Sequence, residues 1–200
     1  ILPTIMHKKF PSIFAFLDNY NSQAFTNNIT NMGIIYRNYN SKKREHELAK
    51  VALACKVNKC QLFVSNDIKL ALKYGAKGIY IPSFNKTKKI LNFEKKNFLI
   101  LGSAHNQKEI SEKISQNCDG IFLSPIFDVK NKKKKLGTHK FNYLTLQNKT
   151  TFFALGGISE INLNKLSLLN IKGFAGIRLF KKKPAFKKAG FIKNKFFLNN

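Results

Sequence analysis

The chain has 200 residues, 44% of them hydrophobic, which suffices for one domain with a buried core. Its 36 Lys and Arg residues exceed its 10 Asp and Glu residues by 26, and this net charge of +26 favours anionic partners. Apolar runs such as 98–101 are far shorter than the roughly 20 residues that cross a bilayer. We therefore expect a soluble, cytoplasmic protein with no membrane partner.

Short apolar runs alternate with stretches of helical periodicity, which is the rhythm of βα units. Eight runs are predicted as strands: 13–17, 33–36, 62–64, 78–81, 98–101, 120–123, 152–155 and 173–177. Helical patterns are predicted over 43–56, 67–74 and 109–115, and from Ser159 onward. This order favours the α/β class and a single-domain (βα)8 TIM barrel.

The two ends of the chain differ from the barrel pattern. Residues 1–11 carry neither a long apolar core nor a small-residue cleavage site, so we expect an N-terminal extension, not a secretory signal. The barrel domain is predicted over 12–200. Within it, the Lys- and Phe-rich residues 181–200 contain no acidic residue and form either a last barrel helix over 185–197 or a basic tail.

The cysteines and the lysines indicate no special site by themselves. Cys55, Cys60 and Cys118 are odd in number and lack the spacing of a zinc site, which is typical of reduced thiols in a cytoplasm. The lysines are scattered along every segment, as on solvated faces, and no nucleic-acid-binding motif accompanies them. Nucleic acid is therefore not the expected partner, despite the charge.

In a βα barrel, functional residues follow the carboxyl ends of the strands. Arg37 follows the second strand, where its guanidinium could bind phosphate with paired donors or lie solvated on the surface. Asn66 and Asp67 follow the third strand. They could cap the next helix, or Asp67 could bind a magnesium ion that carries phosphate.

The fifth strand leads into Ser103 and His105. The serine hydroxyl could bind a phosphate oxygen, and the imidazole could transfer a proton at neutral pH or only hydrogen-bond within a loop. The sixth strand leads into a lysine-rich loop over 130–135, which contains Lys132 and is either an anion trap or a solvated surface. These residue types are the ones that a phosphorylated ligand needs.

The seventh strand ends at Gly156 and Gly157, directly before a predicted helix. Glycines at this point let backbone N–H groups approach a phosphate at the positive end of the helix. A Gly-Gly pair alone is a weak signal, but its place between a strand and a helix strengthens the prediction.

Five motifs resemble, in order, those of the thiamine-phosphate-synthase/TenI superfamily over about residues 13–180. They are NDxxLA with GAKG over 66–78, GSAH over 102–105, SPIF over 124–127, ALGGI over 154–158 and GFAGI over 173–177. The resemblance implies a transferase of thiamine biosynthesis. An aminopyrimidine diphosphate loses pyrophosphate, and the nitrogen of a thiazole phosphate captures the resulting cation.

By motif position, the resemblance also implies roles for individual residues. The catalytic residues implied are Arg37, Ser103, His105 and Lys132; the substrate-binding residues are Arg37, Asn66, Ser103, Asn131, Lys132, Gly156, Gly157 and Arg178. Asp67 would hold Mg2+, and the partners are the phosphorylated pyrimidine and thiazole. A homo-oligomer is compatible with this assignment.

The sequence also departs from the family pattern. Ile35 and Tyr39 replace a glutamine and a lysine beside Arg37, and Asn85 stands where a second metal-binding carboxylate is usual. Two alternatives therefore stay open beside the synthase. One is a TenI-like thiazole tautomerase with His105 as its acid and base, and the other is a noncatalytic binder of thiamine precursors.

Overall fold

The computed structural model describes residues 9–25, 29, 31–39, 41–88, 97–129 and 134–176. Eight parallel strands follow one another around a closed barrel, and the last pairs with the first. The strands are β1 (Ile13–Leu17), β2 (Gly33–Tyr36), β3 (Gln61–Ser65), β4 (Gly78–Ile81), β5 (Leu99–Ala104), β6 (Gly120–Leu123), β7 (Thr151–Leu155) and β8 (Gly173–Gly176). The predicted TIM barrel is confirmed, with strand bounds close to those expected.

Helices separate most of the strands. The α-helices are α1 (Arg44–Val57), α2 (Ile68–Lys73), α3 (Gln107–Ser115) and α4 (Gly137–Leu146); Ser22–Phe25 and Glu160–Leu168 are 3-10 helices. The helix expected after Ser159 is therefore a 3-10 helix and not an α-helix. The sequence did not predict α4, and the helix expected over 185–197 lies outside the described residues.

Aromatic side chains fill the inside of the barrel. Phe14 packs edge-to-face against Phe122 and Phe153, with ring centroids 5.0 and 5.1 Å away. Gly33 on the neighbouring strand makes room for this ring, because a Cβ there would lie 2.2 Å from Phe14. Such aromatic contacts add about 0.5–1.5 kcal/mol each beyond area burial. This rigid layer supports the strand ends above it.

A second apolar layer lies between the strands and the helices. Side chains alternate along a strand, so Ile13, Ala15 and Leu17 point away from the barrel axis and pack with Leu48 and Val51 of α1. The hydrophobic period of α1 predicted this face, and it is confirmed.

The amino-terminal end of the barrel is closed by Phe10. Its ring lies 5.6 Å from that of Phe153, edge-on, and it packs against the inner core. The end of the predicted extension thus contacts the barrel; residues 1–8 lie outside the described part. In the described ranges, no helix is both long and apolar enough to cross a membrane.

Candidate functional site

A cavity of about 290 Å³ opens at the carboxyl ends of the strands. It is lined by Arg37, Tyr39, Tyr80, Pro82, Ser83, Phe84, Ser103, His105, Ser124, Pro125, Val129, Leu155 and Gly156. Four residues predicted from the sequence therefore share one space: Arg37, Ser103, His105 and Gly156. Among the described lining residues, Arg37 is the one with a permanently charged cationic side chain.

Arg37 is held at the mouth of this cavity by its backbone and its side chain. Its N–H donates to the carbonyl of Leu17 at 2.8 Å, which continues the pairing of β1 with β2. The guanidinium pairs with Asp18 at 3.3 Å and lies 5.4 Å from the ring centroid of Phe16. A planar cation fixed in this way can still turn its remaining donors toward an anion.

Tyrosines form much of the rest of the wall. The Tyr39 hydroxyl lies 2.9 Å from Ser65 Oγ, and its ring packs edge-on against Phe84. Tyr80 is almost fully buried and lines the cavity together with Ser103. Burial raises the pKa of both phenols, so they are neutral hydrogen-bonding groups at physiological pH.

His105 is fixed by a carboxylate on α3. Oε2 of Glu109 accepts a hydrogen bond from the His105 backbone N–H at 2.9 Å and lies 2.8 Å from Nδ1. Glu109 Oε1 also accepts from Asn106, whose own side chain caps the helix by accepting from the Glu109 N–H. A proton on Nδ1 facing Glu109 leaves Nε2 as the acceptor, which suits proton transfer.

Gly156 and Gly157 form a tight turn after β7. Their φ angles are 94° and 73°, which L side chains rarely adopt. A Cβ at Gly156 would lie 2.8 Å from Pro125, and one at Gly157 would lie 2.6 Å from the backbone of Phe127 and Asp128. Only glycines fit here, because the turn packs directly against the loop that follows β6.

The chain after Gly157 is ordered by side-chain capping. The amide of Asn162 donates to the Gly157 carbonyl at 2.9 Å and accepts from the N–H of Ser159. Ser159 and Asn162 thus form a capping box at the start of the 3-10 helix. Because the Gly157 carbonyl is bonded within the turn, the conformation of the glycine pair is fixed before any ligand arrives.

Asn66 and Asp67 do not line the described cavity wall. Asp67 caps α2, with Oδ1 accepting from the Leu70 N–H at 2.9 Å, and its Oδ2 lies 3.5 Å from Arg44. The Asn66 side-chain oxygen accepts from the Asn85 amide. Of the two interpretations of Asp67, the structure shows the helix cap.

This arrangement does not fit a magnesium site. Both oxygens of Asp67 face protein donors, and Asn85 offers an amide that already donates to Asn66. No group of three or more His, Cys, Asp or Glu side chains that could hold a metal occurs in the described ranges. Magnesium at Asp67 stays a prediction from the sequence.

A buried lysine anchors the loop after β4. Lys113 is fully buried, and its Nζ donates to the Asn85 carbonyl and to Gln116 Oε1, each at 2.7 Å. Burial lowers the pKa of Lys113, because the charged form loses hydration. The sequence carries no local signal for this residue, because its partner Asn85 lies 28 positions away in the chain.

Three predicted residues lie outside the described part of the chain: Asn131, Lys132 and Arg178. Their roles stay predictions. The residues that the sequence analysis missed are Tyr80, Glu109, Arg44 and Lys113. Only Glu109 carried a local signal, since it lies four positions after His105 at a helix start.

A larger cavity of about 680 Å³ lies beside α1, α2 and the residues that precede β4 and β5. Its lining includes Leu53, Cys55, Cys60 and Tyr74, and none of the predicted site residues. The three cysteines are free thiols, and burial raises the pKa of Cys118 to about 12. Size alone therefore does not mark the site, because the convergent polar groups lie at the other end.

Comparison with known proteins identifies the family of the chain. Residues 19–180 match the family model described as thiamine monophosphate synthase. A solved thiamine phosphate pyrophosphorylase from Pyrococcus furiosus superposes with a TM-score of 0.70 over 86% of this chain and 88% of that chain. Their sequence identity is 15%, so this likeness supports the fold.

Curated relatives carry the same kind of name. A thiamine-phosphate synthase from Prochlorococcus marinus is 30% identical over 138 residues, covering 66% of this chain and 39% of that relative. The synthase from a Hydrogenobaculum species is 26% identical, covering 76% and 73%. The chain thus spans well under half the length of its Prochlorococcus relatives. With a family model matched over most of its length, the chain belongs to the thiamine monophosphate synthase family.

Proposed function

We propose that the protein is a thiamine-phosphate-synthase-like transferase that joins an aminopyrimidine diphosphate to a thiazole phosphate and releases pyrophosphate. The observation that carries this proposal is the convergence of Arg37, Ser103, His105 and Gly156 on one cavity at the carboxyl ends of the strands. Family membership supports the same class of reaction. The identities of the two substrates belong to this proposal.

In the first step, the bond between the pyrimidine methylene carbon and the diphosphate oxygen breaks. Negative charge grows on the departing diphosphate, and a positioned guanidinium stabilises it more as the charge grows. Arg37 suits this role, because Asp18 and the Phe16 ring hold it at the mouth of the cavity. The Ser103 hydroxyl is a second donor for a phosphate oxygen.

The carbocation left behind needs stabilisation until the thiazole nitrogen reaches it. Tyr39, Tyr80 and Phe84 give the cavity aromatic walls, and their π faces can stabilise a planar cation. The thiazole nitrogen then forms the new C–N bond. The turn at Gly157 suits the thiazole phosphate, because it lies directly before the start of the 3-10 helix Glu160–Leu168, where backbone N–H groups favour an anion.

The test is product formation by the full chain with both precursors and Mg2+. We expect thiamine phosphate and pyrophosphate in equal amounts, and we expect Arg37→Ala and Lys132→Ala to lower turnover. Lys50→Ala is a matched control, since Lys50 pairs with Glu47 on the outside of α1. A folded protein that forms no product under these conditions would reject the synthase.

A second candidate is the metal-independent thiazole tautomerase. It is favoured by the His105–Glu109 pair beside the cavity, together with an Asp67 already used as a cap. Here Nε2 of His105 would take a proton from one position of the ring system and return it to another. Conversion in EDTA that His105→Ala abolishes would support this activity, and conversion unchanged by that substitution would reject it.

The noncatalytic binder remains the alternative to both enzymes. It predicts saturable binding of thiazole phosphate with neither product, which calorimetry and product analysis on one protein sample distinguish. Absence of heat on titration would discard it.

A further inference from the structure

A second arginine lies near the mouth of the barrel. Arg44 begins α1, and its guanidinium donates to the Ser65 carbonyl at 2.5 Å and pairs with Asp67 Oδ2 at 3.5 Å. The side chain is 19% exposed, so the ion pair is partly shielded from water. The guanidinium therefore bridges the end of β3 and the cap of α2.

The Arg44 backbone is fixed as well. The Tyr36 hydroxyl, at the end of β2, donates to the Arg44 carbonyl at 2.8 Å. The Nε of Arg44 is buried and finds no hydrogen-bond partner within the described ranges. One donor of this cation is thus left for an acceptor that those residues do not supply.

The charges around Asp67 do not favour a bound divalent ion. Asp67 is the carboxylate at this position, and Arg44 already neutralises it. Asn85 brings no negative charge, and Asn66 uses its oxygen to accept the Asn85 amide. A magnesium ion bound to Asp67 would lie against a guanidinium, and the part of the chain that the structure describes brings no second carboxylate there to balance the repulsion.

We propose that Arg44 occupies the cation position beside Asp67, so that a built-in guanidinium takes the place of a magnesium ion at the end of β3. This inference rests on the proposed function for its meaning, since Arg44 contacts Ser65, which in turn contacts Tyr39 of the cavity wall, and its charge would attract substrate phosphates from behind that wall. In the transferase or the isomerase, the phosphates of the substrate would then be bound without a metal ion, by the charges of two fixed arginines, Arg37 and Arg44.

The test is the binding of Mn2+ to the full chain, measured from the loss of the free-ion paramagnetic resonance signal and without substrate. Wild-type protein should show no saturable binding that Asp67→Asn removes. Arg44→Gln removes the positive charge and frees Asp67 Oδ2 and the Ser65 carbonyl, so saturable Mn2+ binding should appear, with a Kd at least about 10-fold below the highest Mn2+ concentration at which wild-type protein shows none.

Two variants separate charge from structural damage. Arg44→Lys keeps the charge and should exclude Mn2+ as wild type does. Adding Asp67→Asn to Arg44→Gln should remove the gained site. Circular dichroism would show that each variant is folded. If Arg44→Gln is unfolded, Arg44→Met replaces it, with the same gain expected.

Two results would overturn the inference: Mn2+ binding in wild type that depends on Asp67, or no gain in the folded neutral variant. Product formation by wild-type protein in EDTA is measured separately. A protein that excludes Mn2+ but forms no product would retain the inference and lose the proposed function. A protein that forms product only through metal at Asp67 would do the reverse.

Discussion

The turn at Gly157 offers a sharp test of how the cavity is built. In Gly157→Ala, the backbone would hold alanine at a φ of 73°, and its Cβ would lie 2.6 Å from backbone atoms of Phe127 and Asp128. The left-handed conformation costs a non-glycine residue about 1–2 kcal/mol, of which lower unfolded-state entropy offsets about 0.4–1. The clash adds about 1–3 kcal/mol, because backbone atoms must move. We expect a total loss of about 1–5 kcal/mol.

Gly75→Ala is the matched control. Gly75 has a φ of 60° but nothing within 4 Å of the position that a Cβ would take, so only the conformational cost applies. Urea denaturation should show a loss of about 1 kcal/mol or less for this variant. Calorimetry should show weaker binding of thiazole phosphate to Gly157→Ala only. Equal losses of stability in the two variants would refute the steric argument.

Three further predictions concern side chains. Arg37→Lys should raise the KM for a phosphorylated substrate about 10-fold, since lysine lacks the paired donors, and steady-state kinetics checks this. Glu109→Gln should lower kcat about 10-fold with little change in KM, because His105 loses the carboxylate that orients it. Equally large changes in kcat and KM would contradict an orienting role for Glu109. Lys113→Met should abolish a rise in stability with pH. The lowered pKa of Lys113 means that the unfolded chain binds more protons between that pKa and about 10.4, so wild-type stability should increase through this window. Urea denaturation across alkaline pH, compared between wild type and Lys113→Met, measures it, and parallel curves would contradict it.

The barrel could be predicted because each strand carries its own signal. The run Gly120–Leu123, for example, is short and apolar and lies between the polar residues Asp119 and Ser124. Closure needs pairing between β8 and β1, which are far apart in sequence, and periodicity does not encode it. The count of eight predicted strands with helices between them indicated that step, and the family resemblance implied the same fold.

Helix α4 was not predicted from the sequence because its hydrophobic periodicity is weak. It begins at Gly137 without a side-chain cap, and only Phe141, Leu144 and Thr145 are buried. Its apolar period is weak, so its position depends on packing against the strands. The 3-10 helix Glu160–Leu168 differs for a similar reason: Leu166 alone is buried along it, and its capping box fixes only the start.

A site residue could be predicted when it directly follows a predicted strand, as Arg37 and His105 do. It was not predicted where partners come from distant segments. Arg44 meets Asp67 across 23 positions, and Lys113 meets Asn85 across 28. Such pairs form because the strand ends converge, so they become visible only once the barrel is built.

The most direct test of the account is a crystal structure of the full chain with thiazole phosphate and inorganic pyrophosphate. We expect the thiazole phosphate at the Gly157 turn and pyrophosphate beside Arg37, with the aromatic ring of the thiazole inside the 290 Å³ cavity. Ligands bound in the 680 Å³ cavity beside α1 and α2, or no ligand at the carboxyl ends of the strands, would contradict it.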